Sequence, residues 1–216
     1  MMKKTALFAS SLILFSQALS AELKTFTFTA DEWPEGDPPK EVFVVDGTIK
    51  VGAKDGNKAV MISPDNLVDA SAQFAVSAAG DSVIKARVFA SKKGRSNPRF
   101  GIAVHGMSGY RLLANAPKKQ LELVKNEEVL ASVPLTWTSD AWVWMKLEAR
   151  KQGDEWIITG KTWAADASEP AEAQLTHKDK GLKGQGKASV WATPYSGTPI
   201  YFDDIEVGVE VPAETK

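Results

Sequence analysis

The stretch AWVWMKLEARK, residues 141–151, carries apolar side chains at every second position, alternating with tryptophan and charged residues. Successive side chains of a β-strand point to opposite faces, so this period of two predicts a strand with one buried face. The predicted core face consists of Val143, Met145, Leu147 and Ala149. We interpret Trp142 and Trp144, on the other face, either as an exposed aromatic platform or as side chains packed beneath a crossing loop.

Similar alternating segments recur through residues 24–211, separated by turn sequences such as Asp46-Gly47 and Gln152-Gly153-Asp154. About fourteen candidate strands at this spacing, with no long helical stripe, predict a single all-β domain built as a sandwich of two antiparallel sheets. Less than about a tenth of the domain is expected to be helical. Two stretches, 31–40 and 164–186, are predicted to be long loops.

The last predicted strand, IYFDDIEVGV, residues 200–209, changes phase in its middle. Its apolar positions are even-numbered through Phe202 and odd-numbered from Ile205. A change of one residue is what a β-bulge produces, which places a bulge at Asp203 and Asp204. Two adjacent carboxylates repel each other there unless a cation, backbone N–H groups or basic side chains compensate them.

The N-terminus has the pattern of a secretory signal peptide. Met1-Met2-Lys3-Lys4 precedes an uncharged stretch that ends in ALSA at residue 21. We expect cleavage after Ser20 or Ala21, which leaves a β-sandwich domain over residues 22–211 and a frayed tail over 212–216. The apolar run is too short and too polar for a permanent membrane span. The sequence therefore predicts an exported protein, periplasmic or secreted.

The composition excludes several classes of function. The chain has no cysteine, which excludes disulfide scaffolds and cysteine-based metal or nucleophile chemistry, and only two histidines. Its 26 basic and 27 acidic residues give a formal net charge of −1, which offers no electrostatic case for a nucleic-acid partner. Function must therefore reside in local groups of side chains.

The order of the segments resembles the concanavalin A-like lectin/glucanase superfamily, with its laminin-G-like and laminarinase-like members. The resemblance is carried by residues 26–36, VFVVDGTIKV (42–51), FGIAV (100–104), GYRL (109–112), LELVK (121–125), WVWMKLEA (142–149) and IYFDDIEV (200–207). It implies a two-sheet jelly roll of the kind found in exported bacterial modules. Such modules occur alone or beside β-propeller and sugar-processing proteins, which are therefore expected partners.

The resemblance does not extend to catalysis. The laminarinase-type enzymes carry their nucleophile and general acid on one strand as E-x-D-x-E, and this motif is absent. Two isolated acids, Glu122 and Glu148, would approach each other only if their strands are neighbours. A hydrolase acting on 3-keto-glycosides or glucans, with His105 as acid or base, remains an alternative.

The resemblance implies a sugar-binding surface and a structural calcium ion. Aromatic rings stack on the apolar faces of sugars, while Arg, His and Glu bind hydroxyl groups. The candidate ligand-binding residues are Trp137, Trp142, Trp144, Trp163, Trp191, Tyr195, His105, Arg111, Arg87 and Glu122. In laminarinase-type relatives the aspartate of the last strand, V-D-Y-V-R-V, holds a calcium ion together with backbone carbonyls near the start of the chain. The alignment puts Asp203 at that position beside Asp204, with residues 25–31 as the expected source of the carbonyls.

Three hypotheses for the function follow. The first is an exported, non-catalytic module that binds carbohydrate or another cell-envelope component. The second is a glycoside hydrolase of the same fold. The third is a structural module whose tryptophans all lie in the core and whose partner is a protein.

Overall fold

The structure, a computed structural model, describes residues 23–65, 69–182 and 184–210. It is 62% strand and 5% helix, which confirms the predicted all-β class and the low helix content. The predicted signal peptide (1–21) and tail (212–216) lie outside the described residues. None of the described helical elements is long and apolar enough to cross a membrane.

The strands are β1 Leu23–Phe28, β2 Phe43–Asp46, β3 Ile49–Lys54, β4 Asn57–Ile62, β5 Ala70–Ala78, β6 Ser82–Ala90, β7 Arg99–Val104, β8 Tyr110–Asn115, β9 Gln120–Lys125, β10 Glu128–Pro134, β11 Ala141–Gln152, β12 Glu155–Ala164, β13 Leu175–Asp179, β14 Gly186–Thr193 and β15 Ile200–Glu210.

The strands form two antiparallel sheets packed as a sandwich. The seven-stranded sheet has the order β10-β9-β8-β7-β14-β5-β2. The eight-stranded sheet has the order β13-β12-β11-β6-β15-β4-β3, with β1 also paired to β15. Three 3₁₀ turns, Ala30–Glu32, Gly106–Ser108 and Ala116–Lys118, are the helical elements of the described residues. The jelly-roll prediction is confirmed.

The bulge predicted in the last strand is present and separates two pairing partners. The register between β15 and β6 shifts between Asp203 and Glu206. Before the bulge, β15 pairs with β4 through residues 200–202, and after it β15 pairs with β1 through residues 205–210. Asp204 has a φ of 47°, the left-handed conformation that aspartate tolerates better than most residues. The bulge is therefore the point where the strand changes its neighbour on one side.

The core lies between the two sheets, as the alternation of residues 141–151 predicts. The four predicted core residues of β11 are at most 9% exposed. Their partners across the sandwich are large side chains of the seven-stranded sheet, which include Phe74, Phe100, Tyr110 and Leu112. The positional alternation along β11 thus correctly separates core from surface.

The prediction of a continuous loop over residues 164–186 is wrong for Leu175–Asp179, which form β13. This strand is the edge of the eight-stranded sheet and pairs only with β12 in the described structure. Leu175 is its one buried side chain. An edge strand with one apolar anchor lacks the repeated alternation on which the prediction rested.

One polar cluster joins the two sheets beside β13. Asp179 of β13 accepts hydrogen bonds from Tyr110 Oη, Lys125 Nζ and the backbone N–H of Gly181. Tyr110 and Lys125 belong to the seven-stranded sheet, so this carboxylate ties the edge strand of one sheet to the other. Burial raises the pKa of Asp179, but the hydrogen bonds from Lys125 and Tyr110 outweigh it and hold that pKa well below its usual value.

Candidate functional site

The structure distributes the ten predicted ligand-binding residues over several parts of the molecule. The outer face of the eight-stranded sheet carries Trp142, Trp144, Trp163 and Arg87, and the outer face of the seven-stranded sheet carries Trp191, Arg111 and Glu122. Trp137, Tyr195 and His105 belong to neither face. No single binding surface therefore unites the ten residues.

The outer face of the seven-stranded sheet is centred on Trp191. Its indole contacts Leu113 and Val124, and together they form a small apolar cluster outside the main core. Gly101 lies between Trp191 and Leu113 in the sheet. Because glycine has no side chain, the Trp191 ring can extend across it to Leu113. A Cβ at Gly101 would approach the carbonyl oxygen of Leu112 to 2.2 Å, so only glycine fits there.

Two arginines cover the Trp191 ring. The guanidinium carbon of Arg111 lies 4.4 Å from the ring centroid and that of Arg99 lies 5.4 Å from it. Both distances fall within the range of cation–π attraction. As a result, Trp191 is only 3% exposed. We call Trp191, Arg99, Arg111 and the pocket beside them the Trp191 face.

The pocket beside Arg111 is small and polar. Its volume is about 60 Å³, and Ser71, Gln73 and Ser189 are among its lining residues. Because a cavity of about 10–15 Å³ in this measure is enough for one water molecule, the pocket has room for a few waters and suits a single functional group of a ligand. A ligand on this face would therefore lie across the sheet and insert one substituent.

The charge of Arg111 is only loosely compensated. Its Nη1 is 4.0 Å from Asp69 Oδ2, and its Nη2 is 3.9 Å from Glu127 Oε1. These distances are too long for hydrogen bonds. Burial lowers the pKa of Arg111, the two carboxylates raise it, and the charge of Arg99 lowers it again. The guanidinium stays protonated regardless, because arginine is always charged in proteins.

Glu122 lies on the same face, but its carboxylate is already bound by neighbouring side chains. It is 2% exposed, accepts a hydrogen bond of 3.0 Å from Asn115 Nδ2 and pairs with Lys118 at 3.4 Å. Glu148 lies on β11 in the other sheet, on the opposite outer face of the sandwich. The two strands are not neighbours, so these carboxylates do not form the pair that a retaining glycosidase needs.

The predicted aromatic platform lies on the eight-stranded sheet. Trp144 stacks on Trp163 with ring centroids 6.1 Å apart, and Lys85 Nζ lies 4.3 Å from the Trp144 ring. Trp142 donates a hydrogen bond of 3.1 Å from Nε1 to Asp55. The three rings are partly buried. They therefore lie between the two interpretations given above, an exposed platform and side chains packed beneath a crossing loop. Each ring is therefore in contact with another side chain on one face, and the indole N–H of Trp142 is already hydrogen-bonded.

Arg87 compensates the two aspartates of the bulge. Its Nη2 donates a hydrogen bond of 2.8 Å to Asp203 Oδ2, and its Nε lies 2.6 Å from Asp204 Oδ2. The guanidinium also lies 4.9 Å from the Trp142 ring centroid. Burial raises the pKa of Asp203, and Arg87 opposes that rise. Arg87 thus acts as a structural cation at the bulge, and its predicted role in sugar binding stays a prediction.

The side chains of the bulge do not by themselves form a calcium site, and the predicted calcium ion stays a prediction. Among the described residues, no group of three or more His, Cys, Asp or Glu side chains is placed to hold a metal ion. Calcium takes six to eight oxygen ligands, and of the two bulge aspartates only Oδ1 of Asp203 is buried without a hydrogen-bond partner in the described part of the chain. Arg87 supplies the positive charge that the bulge requires.

His105 lies inside the protein and not on a binding surface. It is 2% exposed, and its ring packs edge-on against Trp156 with centroids 5.3 Å apart. Neither ring nitrogen has a hydrogen-bond partner among the described residues. The position has a φ of 60°, which follows from its place directly before the 3₁₀ turn that joins β7 to β8. An enclosed histidine without access to solvent is a poor general acid or base.

We expect thermal stability to fall as the pH is lowered from 7.5 to 5. Burial lowers the pKa of His105 below its usual 6.5, although the backbone of Gly80 and Ala78 and the charge of Asp81 oppose this. The unfolded chain therefore binds a proton more readily than the folded one, and stability is lost as the pH falls through 6.5 towards the folded pKa. Replacement by asparagine, which tolerates the left-handed conformation, should flatten this slope in melting curves. An equal slope in the variant would assign the pH dependence to other groups.

The last two predicted residues lie at the ends of the sandwich. Trp137 packs against Phe100 and lines a pocket of about 300 Å³ with Lys92 and Lys119. Tyr195 is 43% exposed in the connection between β14 and β15. Neither residue contributes to the Trp191 face.

Sequence reasoning missed Arg99 and Gln73. Alternation from Gly101 places Arg99 on the same face of β7, which was a usable signal. The position of Gln73 beside the pocket depends on the pairing of β14 with β5, which are far apart in the sequence. No local pattern could reveal that pairing.

Comparison with known proteins identifies the fold. No family model and no curated protein sequence matches this chain. Among solved structures, peanut lectin with a nonapeptide has a TM-score of 0.58 at 12% identity and covers 89% of this chain and 100% of its own. The Emp47p carbohydrate recognition domain has a TM-score of 0.56 at 8% identity, covering 88% and 98%. The carbohydrate-binding module CBM66 from Bacillus subtilis has a TM-score of 0.52 at 13% identity, covering 77% and 94%.

These similarities define the class of the protein: it has the concanavalin A-like jelly-roll fold, and the resemblance seen in the sequence is confirmed at the level of fold. The three solved structures are a lectin, a carbohydrate recognition domain and a carbohydrate-binding module. Fold alone does not carry their ligands over to this chain.

Proposed function

We propose that this protein is an exported, non-catalytic module that binds carbohydrate through the Trp191 face. The observation that carries the proposal is the pair of arginines, Arg99 and Arg111, that flank Trp191 next to a pocket lined by Gln73 and two serines. Sugar recognition combines apolar surface with several directed hydrogen bonds. On this face the hydrogen-bonding groups line the pocket, and the exposed side chain of Met107, which lines the same pocket, supplies the apolar surface.

The Trp191 face is favoured over the outer face of the eight-stranded sheet. On the latter, Arg87 is committed to the bulge aspartates and Trp142 to Asp55. The loop after β12 also reaches this surface, where Glu169 pairs with Lys146 and Lys161 at 3.1 Å. The Trp191 face has fewer internal partners, so more of its hydrogen-bonding groups are open to a ligand.

Two further observations support the proposal. The solved structures with the same fold include lectins and carbohydrate-binding modules. The N-terminal sequence has the pattern of a signal peptide, which favours export and glycans of the cell envelope or its surroundings as ligands. The placement of Glu122 and Glu148 on opposite faces, and of His105 in the interior, favours binding over hydrolysis.

The proposal is tested by titrating the protein without residues 1–21 against a panel of oligosaccharides by calorimetry. We expect Gln73→Ala to weaken binding about tenfold, because one lost hydrogen bond is worth about 1.4 kcal/mol. Thr159→Ala, a polar change on the opposite outer face, is the matched control and should leave the affinity unchanged.

Three outcomes would contradict the proposal. One is the absence of binding to every oligosaccharide. Another is loss of binding in Trp163→Ala together with full binding in Gln73→Ala, which would move the site to the eight-stranded sheet. The third is the release of shorter products during incubation, which would show catalysis.

A further inference from the structure

We propose that the Trp191 face recognises an anionic sugar, one that carries a carboxylate or a sulfate ester. This inference rests on the proposed function and names the class of its ligand. It is carried by three features of the face: two arginines on one ring, the incomplete pairing of their guanidinium groups within the described residues, and the size of the adjoining pocket.

The first feature is the placement of two cations on one indole. Arg99 and Arg111 both lie over Trp191, at 5.4 and 4.4 Å from its centroid. Like charges repel each other, and Arg99 is among the groups that disfavour the charge of Arg111. A bound anion between or beside them would relieve this repulsion.

The second feature is that neither guanidinium is saturated. Within the described residues, Arg99 Nε is buried without a hydrogen-bond partner. The nearest carboxylates to Arg111, on Asp69 and Glu127, stay at 4.0 and 3.9 Å. Asp69 already accepts a hydrogen bond of 2.7 Å from Thr193 Oγ1. Asp69 and Glu127 are also well exposed, so both side chains can turn towards solvent when a ligand arrives.

Arg87, an arginine with a structural role in the same protein, serves as a comparison for Arg99 and Arg111. It also contacts tryptophan, at 4.9 Å from the Trp142 centroid, but it pairs with two carboxylates at 2.8 and 2.6 Å. Its partner Asp203 is 3% exposed, so the pair is built into the fold. Arg111 has the same aromatic support but only the two distant carboxylates of Asp69 and Glu127, and Arg99 has no ion pair among the described residues. This difference from Arg87 points to an anion supplied from outside.

The third feature is the size of the pocket. A volume of about 60 Å³ accommodates a carboxylate or a sulfate group while the sugar ring stays outside. The planar fork of a guanidinium matches both oxyanions with two parallel hydrogen bonds. Gln73 and Ser189, which line the same pocket, supply further polar contacts for the ring substituents.

The test compares charged oligosaccharides with uncharged ones of the same backbone. The probes are oligogalacturonides and their methyl esters, and a sulfated galactan oligosaccharide and its desulfated form. We expect at least one acid to bind tenfold or more tightly than its neutral counterpart, with an affinity that falls between 50 and 300 mM salt. The carboxylate and sulfate arms distinguish the two sources of the anion.

Substitutions of Arg111 and Arg99 test whether these arginines cause the preference for the acidic oligosaccharide. Arg111→Gln should remove the preference for the acid, and Arg111→Lys, which keeps the charge but lacks the fork, should retain part of it. Arg95→Gln, an exposed arginine in the connection between β6 and β7, is the matched control and should change nothing. If melting curves show that Arg111→Gln is unfolded, Arg99→Gln replaces it.

The titration results distinguish a failure of the anionic preference from a failure of carbohydrate binding itself. Equal or tighter binding of the neutral counterparts, lost in Gln73→Ala, overturns the anionic inference and leaves carbohydrate binding in place. Preference for the acid that persists in folded Arg111→Gln and in Arg99→Gln also overturns it. Absence of binding to all four probes and to the wider panel overturns both.

Discussion

Replacing Arg87 with methionine is expected to lower the free energy of unfolding by about 3 kcal/mol at pH 7. The substitution keeps the length and apolar stem of the side chain but leaves Asp203, which is 3% exposed, as a buried carboxylate without its cation. For a domain of this size the loss corresponds to a fall in melting temperature of roughly 6–12 °C. Chemical denaturation and thermal melts measure both quantities.

Two companion variants show whether the cause is the unpaired carboxylate. The double substitution Arg87→Met with Asp203→Asn should recover much of the lost stability, because no buried charge remains. Arg150→Met is the matched control, since Arg150 makes only distant ion pairs, at 3.7 and 3.9 Å, and should cost less than about 0.5 kcal/mol. A double variant as unstable as Arg87→Met alone would mean that the ion pair is not the source of the loss.

The pH dependence of this loss has a definite sign. Burial holds the pKa of Asp203 above its usual 3.8, and removal of Arg87 raises it further. A raised carboxylate pKa destabilises the folded state at neutral pH, and the penalty disappears as the pH falls through the folded pKa and the group becomes neutral. The deficit of Arg87→Met relative to the wild type should therefore be smaller near pH 4 than at pH 7.

The same elements show how far the sequence predicts the fold. The period-two pattern of residues 141–151 correctly separates core from surface, because that separation depends only on the direction of successive side chains. The phase change at Asp203 correctly places a bulge for the same reason. β13 escapes detection because its position depends on pairing with β12 and on Asp179, both of which are tertiary contacts.

The site was less predictable than the fold. Residue types suitable for sugar binding were recognised, but their grouping depends on the order of strands within each sheet. Arg111 meets Trp191 because β8, β7 and β14 are adjacent, although β14 lies far from the other two in the sequence. Arg87, a residue of the same type, lies on the opposite face of the sandwich and has a structural role. His105 ends a strand in the sequence, yet the turn that follows directs it into the interior.

The second large effect is expected from Asp179→Asn, which should lower the free energy of unfolding by about 2–3 kcal/mol at pH 7. Asparagine has nearly the same shape but no charge. The ammonium group of Lys125, with a side chain only 15% exposed, then loses its partner, and the hydrogen bond from Tyr110 loses its charged acceptor. Because these contacts join β13 to the opposite sheet, amide hydrogen exchange along β13 should accelerate more than exchange in β6.

The acid side of the stability curve gives an independent check on Asp179. Its folded pKa lies below the usual 3.8, so its contribution is fully present above that pH and is lost as the pH falls towards the folded value. The difference in unfolding free energy between wild type and Asp179→Asn should therefore shrink below about pH 3.8. Asp154→Asn, an exposed change in the turn between β11 and β12, is the control and should match the wild type at every pH. A deficit below about 0.5 kcal/mol at pH 7 in Asp179→Asn would contradict this, because it is no larger than the effect of an ordinary exposed ion pair.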